Sequence, residues 1–345
     1  MKLQKISMVV SLLLVLTMVA GCVDDTLENN ETFPDSNFSI TSYQSLRFHE
    51  DGTFKILQFT DLHLTYGFDY NDRQTYRLIR LAVEQEAPDL IVFTGDQTMS
   101  PMNKRLYRNF ARRMERLNTP WTFVFGNHDD EVNGSKLDLA SIALRHSEQL
   151  IFQVGPKNIT GVGNFLIHLK DSVTNDYRFT LYFIDSNAHR TYVIDGQKKF
   201  WYDYIYEDQI AWYEAMVNQV SDHVGSLTPS IAFFHIPLPE YLDVVDNESL
   251  IQTGVRKELP CAPYTNTGMF AKMVELGSTK AVFVGHDHIN DYTFVKEGIT
   301  LGYGRATGFN GYGGTSVEKG ARIIEINQNG TFTTNVISTK DIGGW

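Results

Sequence analysis

Five apolar stretches of this chain, residues 54–60, 90–94, 121–125, 230–234 and 280–284, each run straight into a short polar cluster. The clusters are Asp61-Leu62-His63, Gly95-Asp96, Gly126-Asn127-His128-Asp129, His235, and Gly285-His286-Asp287-His288. Short apolar runs bounded by glycine and polar residues read as buried strands. Ligands of open α/β sheets collect beyond the carboxyl ends of strands. A chain with this pattern is therefore expected to fold so that five strand ends meet. Residues 74–86 and 104–117 carry apolar residues at helical spacing; in the second, Leu106, Phe110, Met114 and Leu117 share one face. The βαβαβ order implies a partly parallel sheet with right-handed crossovers. Further on, 165–169 and 178–185 read as neighbouring strands, 208–220 and 267–276 as helices, and 292 onward as strand-rich and glycine-rich. No repeat or linker interrupts residues 40–345, which read as one α/β domain with two packed sheets.

The side chains at these strand ends suit a hard or borderline divalent cation. Imidazole with carboxylate favours zinc, iron or manganese, and no cysteine lies nearby to make a thiolate site. Asp61 and His63, and again His286 and His288, are one residue apart, so both members of each pair can reach forward where the chain turns. Asp96 is a lone carboxylate that can bridge two cations, and two metals about 3.5–4 Å apart clamp a phosphoryl group for in-line displacement. Of the ten histidines, five (His63, His128, His235, His286 and His288) fall in these motifs, which argues against coincidence.

The series D-x-H, G-D, G-N-H-D, H and G-H-x-H, in this order over roughly residues 54–305, resembles the calcineurin-like metallophosphoesterase superfamily. The segments 234–241 (FHIPLPEY) and 282–291 (VFVGHDHIND) resemble its purple-acid-phosphatase-like branch, some members of which are regarded as inactive. The resemblance implies a four-layer αββα sandwich with two mixed sheets and two divalent metal ions (Mn, Fe or Zn) at one sheet edge. One metal would take Asp61, His63, Asp96 and His288; the other would take Asp96, Asn127, His235 and His286. His128 would bind no metal but face the phosphate, as proton donor or charge stabiliser, oriented by Asp96 or another carboxylate. A hydroxide between the metals would be the nucleophile. The expected activity is phosphomonoester hydrolysis; a phosphodiesterase on nucleotides or lipid headgroups, or a non-catalytic ligand-binding lipoprotein, are the alternatives. One departure matters: Met99 stands where purple enzymes have a tyrosine ligand, so a coloured tyrosinate–iron(III) centre is not expected.

The first residues look like an address. Lys2 and Lys5 precede an apolar run over residues 6–20 that ends in Val19-Ala20-Gly21-Cys22, a lipobox-like sequence. Residues 1–21 are expected to be a lipoprotein signal peptide, and residues 22–39 an acidic tether too poor in apolar surface to fold alone. Acyl chains on Cys22 would hold the protein to a bacterial membrane outside the cytoplasm. Cys261, the second of two cysteines, is then expected as a buried free thiol. A net charge of −11 makes nucleic acid an unsuitable partner. A phosphorylated small molecule or macromolecule is the expected substrate; the oligomeric state is left open.

Other features have a sharp and a plain reading. Lys104, Arg105, Arg108, Arg112, Arg113 and Arg116 could draw an anionic substrate or lipid headgroups, but such a run is first a solvated helix face. The aromatic stretch 200–206 could stack a base or sugar; the helical spacing of Ile210, Tyr213 and Val217 beside it favours packing. Asp129 and Asp287 are either orienters of the ligands next to them or turn residues. In the glycine-rich stretch 302–314, Tyr303 and Arg305 are candidates to touch the phosphate, against the reading of a surface hairpin.

Overall fold

The computed structural model describes residues 39–314 and 316–345; the leader, Cys22 and the tether up to residue 38 lie outside the described residues. The first half of the domain comprises β1 (Ser45–Arg47), β2 (Thr53–Phe59), α1 (Tyr70–Glu86), β3 (Leu90–Thr94), α2 (Asn103–Glu115), β4 (Trp121–Val124) and α3 (Lys136–Leu144). Next come β5 (Phe165–Lys170), β6 (Tyr177–Phe183), β7 (His189–Ile194), β8 (Gln197–Tyr202), α4 (Glu207–Val224) and β9 (Ser230–Phe233). The chain ends with α5 (Asp243–Asp246), β10 (Ile251–Thr253), α6 (Met269–Leu276), β11 (Thr279–Val284), β12 (Thr293–Lys296), β13 (Ile299–Tyr303), β14 (Gly320–Asn327) and β15 (Phe332–Ser338).

Local chemistry sets these bounds. The helix expected from 74 starts at Tyr70, because Asp69 caps it by accepting from Asp72 N at 3.0 Å. In α2 the apolar stripe Leu106, Phe110 and Met114 is buried, while Arg105, Arg112, Arg113 and Arg116 are exposed, as a solvated face requires. Every residue of β3 is buried, which fits a central strand covered on both faces.

Two mixed sheets result. The smaller has the order β15-β14-β2-β3-β4, with β2, β3 and β4 parallel; the larger has the order β1-β5-β6-β9-β11-β13-β12-β10, with β6, β9, β11 and β13 parallel. Helix α2 covers the outside of the smaller sheet, where Phe110 meets Phe93 at 4.8 Å and Trp121 at 5.2 Å between ring centroids. Phe110→Ala would cost about 3–5 kcal/mol at such a site. Helix α4 covers the outside of the larger sheet, with Tyr213 against Tyr182 at 5.0 Å. Between the sheets, Gln58 donates to Val284 O at 3.1 Å and Phe283 packs edge-on to Phe332 at 6.3 Å. The order is helix, sheet, sheet, helix, as the resemblance implies.

One element departs from expectation. Residues 189–202 form a separate antiparallel hairpin, β7 with β8, outside both sheets. Trp212 and Tyr213 are buried on α4, but Phe200 is 69 % exposed, so the packing expected for the whole aromatic stretch holds for its helical part only.

Candidate metal centre

The parallel strands of both sheets deliver their carboxyl ends to one edge. There Asp61 and His63 follow β2, Asp96 follows β3, Asn127 and His128 follow β4, His235 follows β9, and His286 and His288 follow β11. Cross-strand bonds hold these turns in step: Asp61 N donates to Gly95 O at 3.1 Å, His63 N to Asp96 O at 2.9 Å, and Gly285 N to His235 O at 3.1 Å. Two bonds join the sheets at the site. His235 Nδ1 donates to Thr94 O at 2.7 Å, and His286 N donates to the Asp61 carboxylate at 3.1 Å. Asp61, His63, Asp96 and His286 all have positive φ, from 45° to 79°. Left-handed backbone outside glycine costs energy and clusters where a site needs a side chain aimed.

Among the described residues, two triads gather ligand-type atoms within 4.8 Å of one another: Asp61 with His63 and His288, and Asp96 with His235 and His286. Asp96 reaches both, with Oδ2 3.2 Å from His235 Nε2 and 3.6 Å from His63 Nε2. Asn127 Oδ1 stands 3.2 Å from His235 Nε2. A Cβ on Gly126 would overlap Asp96 Oδ1, so the third turn approaches only because that residue is glycine.

The donor set fits divalent cations. His288 Nδ1 donates to Tyr312 O at 3.2 Å, which leaves its Nε2 with a lone pair only 2.9 Å from His63 Nε2 and 3.5 Å from Asp61 Oδ1. Acceptors that face one another in a buried space call for a cation between them. His286 Nε2 is buried with no partner, while its Nδ1 faces His235 Nε2 at 3.3 Å. Burial alone would raise the carboxyls of Asp61 and Asp96, but the imidazoles around them outweigh it and hold both below the usual carboxylate range. Burial pushes His63 down to about 4 and His286 well below the ordinary imidazole range, which keeps both neutral and able to ligate. His235 is also desolvated, yet Asp96 wins and lifts it to about 9.

His128 differs from the other four imidazoles. Its side chain is 30 % exposed, against 3 % or less for His63, His235 and His288. Its ring lies 5.3 Å from that of His63, its backbone N donates to Asp96 Oδ1 at 2.9 Å, and its Nδ1 is 2.8 Å from Glu131 Oε2. Partial burial lowers its pKa, but Asp96 and Glu131 reverse this and raise it. The carboxylate beside its ring is thus Glu131, three residues on, which the sequence reading left unnamed, while Asp96 holds its backbone.

Asp129 and Asp287 both turn out to be supports. Buried Asp129 accepts from the backbone N of Asp96, Thr98 and Gly126 at 3.1, 3.0 and 2.8 Å, tying the second and third turns together. Asp287 accepts from Tyr303 Oη at 2.6 Å and from Cys261 N. Burial pushes each carboxyl up to about 7.

The candidates from the glycine-rich stretch need correcting. Tyr303 is fully buried with its hydroxyl spent on Asp287, and Arg305 is paired with Asp291 and donates to Glu318 O at 2.9 Å. Neither is free to touch a phosphate. The residue of that stretch that meets the centre is Tyr312. Its ring stacks on His288 at 3.9 Å, and its hydroxyl accepts from His288 N at 3.1 Å and donates to Glu258 Oε2 at 2.9 Å. Tyr202 of the hairpin lies edge-on to His286 at 4.2 Å. No local motif marks either tyrosine; only Gly311 and Gly313 beside Tyr312 hint at close approach. Cys261 is half-buried rather than buried, and desolvation pushes its thiol up to about 12.

The sequence profile of calcineurin-like phosphoesterases matches residues 54–290, which contain all seven candidate ligands and His128. The chain belongs to the calcineurin-like phosphoesterase family. Among its relatives is a protein of Arabidopsis thaliana named "Probable inactive purple acid phosphatase 14", 32 % identical over 316 residues, 82 % of this chain and 77 % of that one. A protein of Saccharomyces cerevisiae named "Phosphatase DCR2" is 34 % identical over 343 residues, 88 % of this chain and 56 % of that one. The crystal structure of a dimetal phosphatase from Danio rerio superposes with a TM-score of 0.51 at 11 % identity, covering 83 % of this chain and 98 % of that one, a likeness of fold. Calcineurin-like phosphoesterases are generally hydrolases, and the two triads give this member a candidate two-metal site.

Proposed function

We propose that this calcineurin-like phosphoesterase is a phosphomonoesterase that works with two divalent ions of the manganese, iron and zinc group. The observation that carries the reading is the place of Asp96, with one carboxylate oxygen between the two triads and the other receiving His128 N. When bound, the two cations would neutralise phosphoryl charge and supply an activated water. The chain's residues do the rest. His63, His288, His235, His286, Asp61 and Asn127 complete the two donor sets around Asp96. His128, whose pKa Asp96 and Glu131 raise, stands with its Nδ1 beside Glu131 and can, when protonated, hand a ring proton to the leaving oxygen. Asp129 fixes the backbone that carries Asp96 and Asn127. The donor set is complete, which supports activity although some relatives are named inactive.

The test is turnover of a chromogenic monoester and a chromogenic diester, each with and without manganese, beside elemental analysis. The reading expects about two metals per chain and metal-dependent monoester cleavage without a purple colour, since Met99 cannot ligate as a phenolate. Faster diester cleavage would reassign the centre to phosphodiester chemistry. No turnover with both metals loaded would leave a binding protein.

For location, we infer a lipid anchor at Cys22 from the lipobox-like residues 19–22. Among the described residues no helix is long and apolar enough to cross a membrane. Cys22→Ser that fractionates and migrates like wild type would sink the anchor.

A further inference from the structure

The β7–β8 hairpin has two unlike faces. Side chains alternate along a strand, so Arg190, Tyr192 and Trp201 fall on one face and His189, Phe200 and Tyr202 on the other, in a register that pairs His189 with Tyr202. The first face is packed on the domain. Trp201 Nε1 donates to Ala262 O at 2.9 Å, its ring stacks on Tyr264 at 5.5 Å, and the Arg190 guanidinium lies 4.4 Å from the Tyr204 ring. The second face starts at the metal centre and runs outward. Tyr202 touches His286 at 4.2 Å between centroids, His189 stands 5.2 Å from Tyr202, and His189 stacks on Phe200 at 4.8 Å and 19°. The outer ring, Phe200, is 69 % exposed. Hairpin packing does not account for it, because the packing face is the other one.

We propose that this strip is the leaving-group subsite of the centre, and that it takes a flat aromatic ring joined to the phosphate through a sugar-length spacer, the chemistry of a nucleoside monophosphate. The inference rests on the phosphomonoesterase reading and deepens it. Residues two apart in a strand are about 6.5–7 Å apart, so Phe200 lies one such step beyond Tyr202 along the strand. A ring bonded directly to the ester oxygen ends beside Tyr202. A ring carried on a sugar reaches Phe200 and stacks on its open side. The outward face itself carries His189, Thr191, Val193, Lys198, Phe200 and Tyr202 and no carboxylate of its own.

The experiment compares manganese-loaded wild type, Phe200→Ala and Phe200→Trp on adenosine monophosphate, phenyl phosphate and glycerol phosphate. Base–aromatic stacking predicts that Phe200→Ala lowers kcat/KM for the nucleotide roughly 5- to 100-fold relative to glycerol phosphate, mainly through KM. Phe200→Trp should restore the ratio, and phenyl phosphate should lose less than the nucleotide. An unchanged nucleotide-to-glycerol-phosphate ratio overturns the subsite, and an equal loss on phenyl phosphate overturns the spacer. Absence of turnover by wild type on all three would instead defeat the phosphatase reading. The subsite is then judged by calorimetric binding of adenosine monophosphate: weaker binding to Phe200→Ala upholds it, and equal binding overturns it.

Discussion

The two triads are made of the same donors, two imidazoles and a carboxylate, but they are enclosed in different ways. Around Asp61, His63 and His288, Tyr312 stacks on His288, fixes its tautomer through a backbone carbonyl, and passes a hydrogen bond on to Glu258, while His63 Nδ1 is buried without a partner. Around Asp96, His235 and His286 one imidazole is again anchored and one is not, but the tyrosine beside them offers its edge instead of a hydrogen bond. His235 is anchored to Thr94 O, whereas His286 has a partnerless Nε2 and only the edge of Tyr202 beside it. Outer partners of metal-binding imidazoles tune affinity and orientation. The lesson is that two sites with one donor formula need not hold their ions alike. The Asp61 triad is tied through Tyr312 to Glu258, and the Asp96 triad is the one that meets the hairpin.

The largest effect should erase the difference. Asp96→Ala removes the carboxylate that reaches both triads, so both should lose metal, and kcat should fall by more than the roughly 10²–10³ typical of one lost transition-state donor. Elemental analysis that still finds one metal at full occupancy would show that Asp96 serves one triad only. His128→Ala should leave both metals in place and lower kcat for an alkyl phosphate by on the order of 10²–10⁴, and less for a nitrophenyl phosphate, whose oxygen needs little protonation. Metal loss in this variant would make His128 a ligand or a prop.

Two smaller effects sharpen the comparison. Tyr312→Ala should weaken one metal step by about 10–100-fold in a metal titration, whereas Tyr202→Ala should leave affinity nearly unchanged. The reverse order would show that the edge contact of Tyr202 supports its imidazole more than the hydrogen bonds of Tyr312 do. Glu131→Gln should move only pH dependence. Glu131 helps raise the His128 pKa, and a proton donor is active while protonated, so losing that charge should shift the alkaline limb of kcat to lower pH. A limb that stays in place or moves upward would exclude Glu131 as the orienting partner.

What the sequence disclosed follows how local each signal is. Asp61, Asp96, His235 and His286 were legible because each stands just after its strand, so a pattern of a few residues carries both the fold and the chemistry. The helix start at Tyr70 was missed by four residues because Asp69, its cap, precedes the apolar periodicity. Tyr202 and Tyr312 were not legible as neighbours of the centre. Each reaches it through a loop or hairpin whose placement depends on the finished domain, and no motif spans Tyr202 and His286. Tyr303 and Arg305 were misread because glycine marks where the backbone bends and not which side chain faces inward.

The bonds that stitch the sheets at this edge also bear on the order of events in folding. Asp61 and His286 are 225 residues apart in sequence, as are His63 and His288, while Thr94 and His235 are 141 apart. Such distant pairings are slow to form, because long loops close before any contact rewards them. A nascent chain cannot own this centre until residue 288 has emerged, even though Asp61, His63 and Asp96 were made early. Metal bound there would therefore select the finished fold and stabilise it in proportion to the logarithm of its free concentration. Cells short of the ion would accumulate the same polypeptide in a looser, protease-sensitive form.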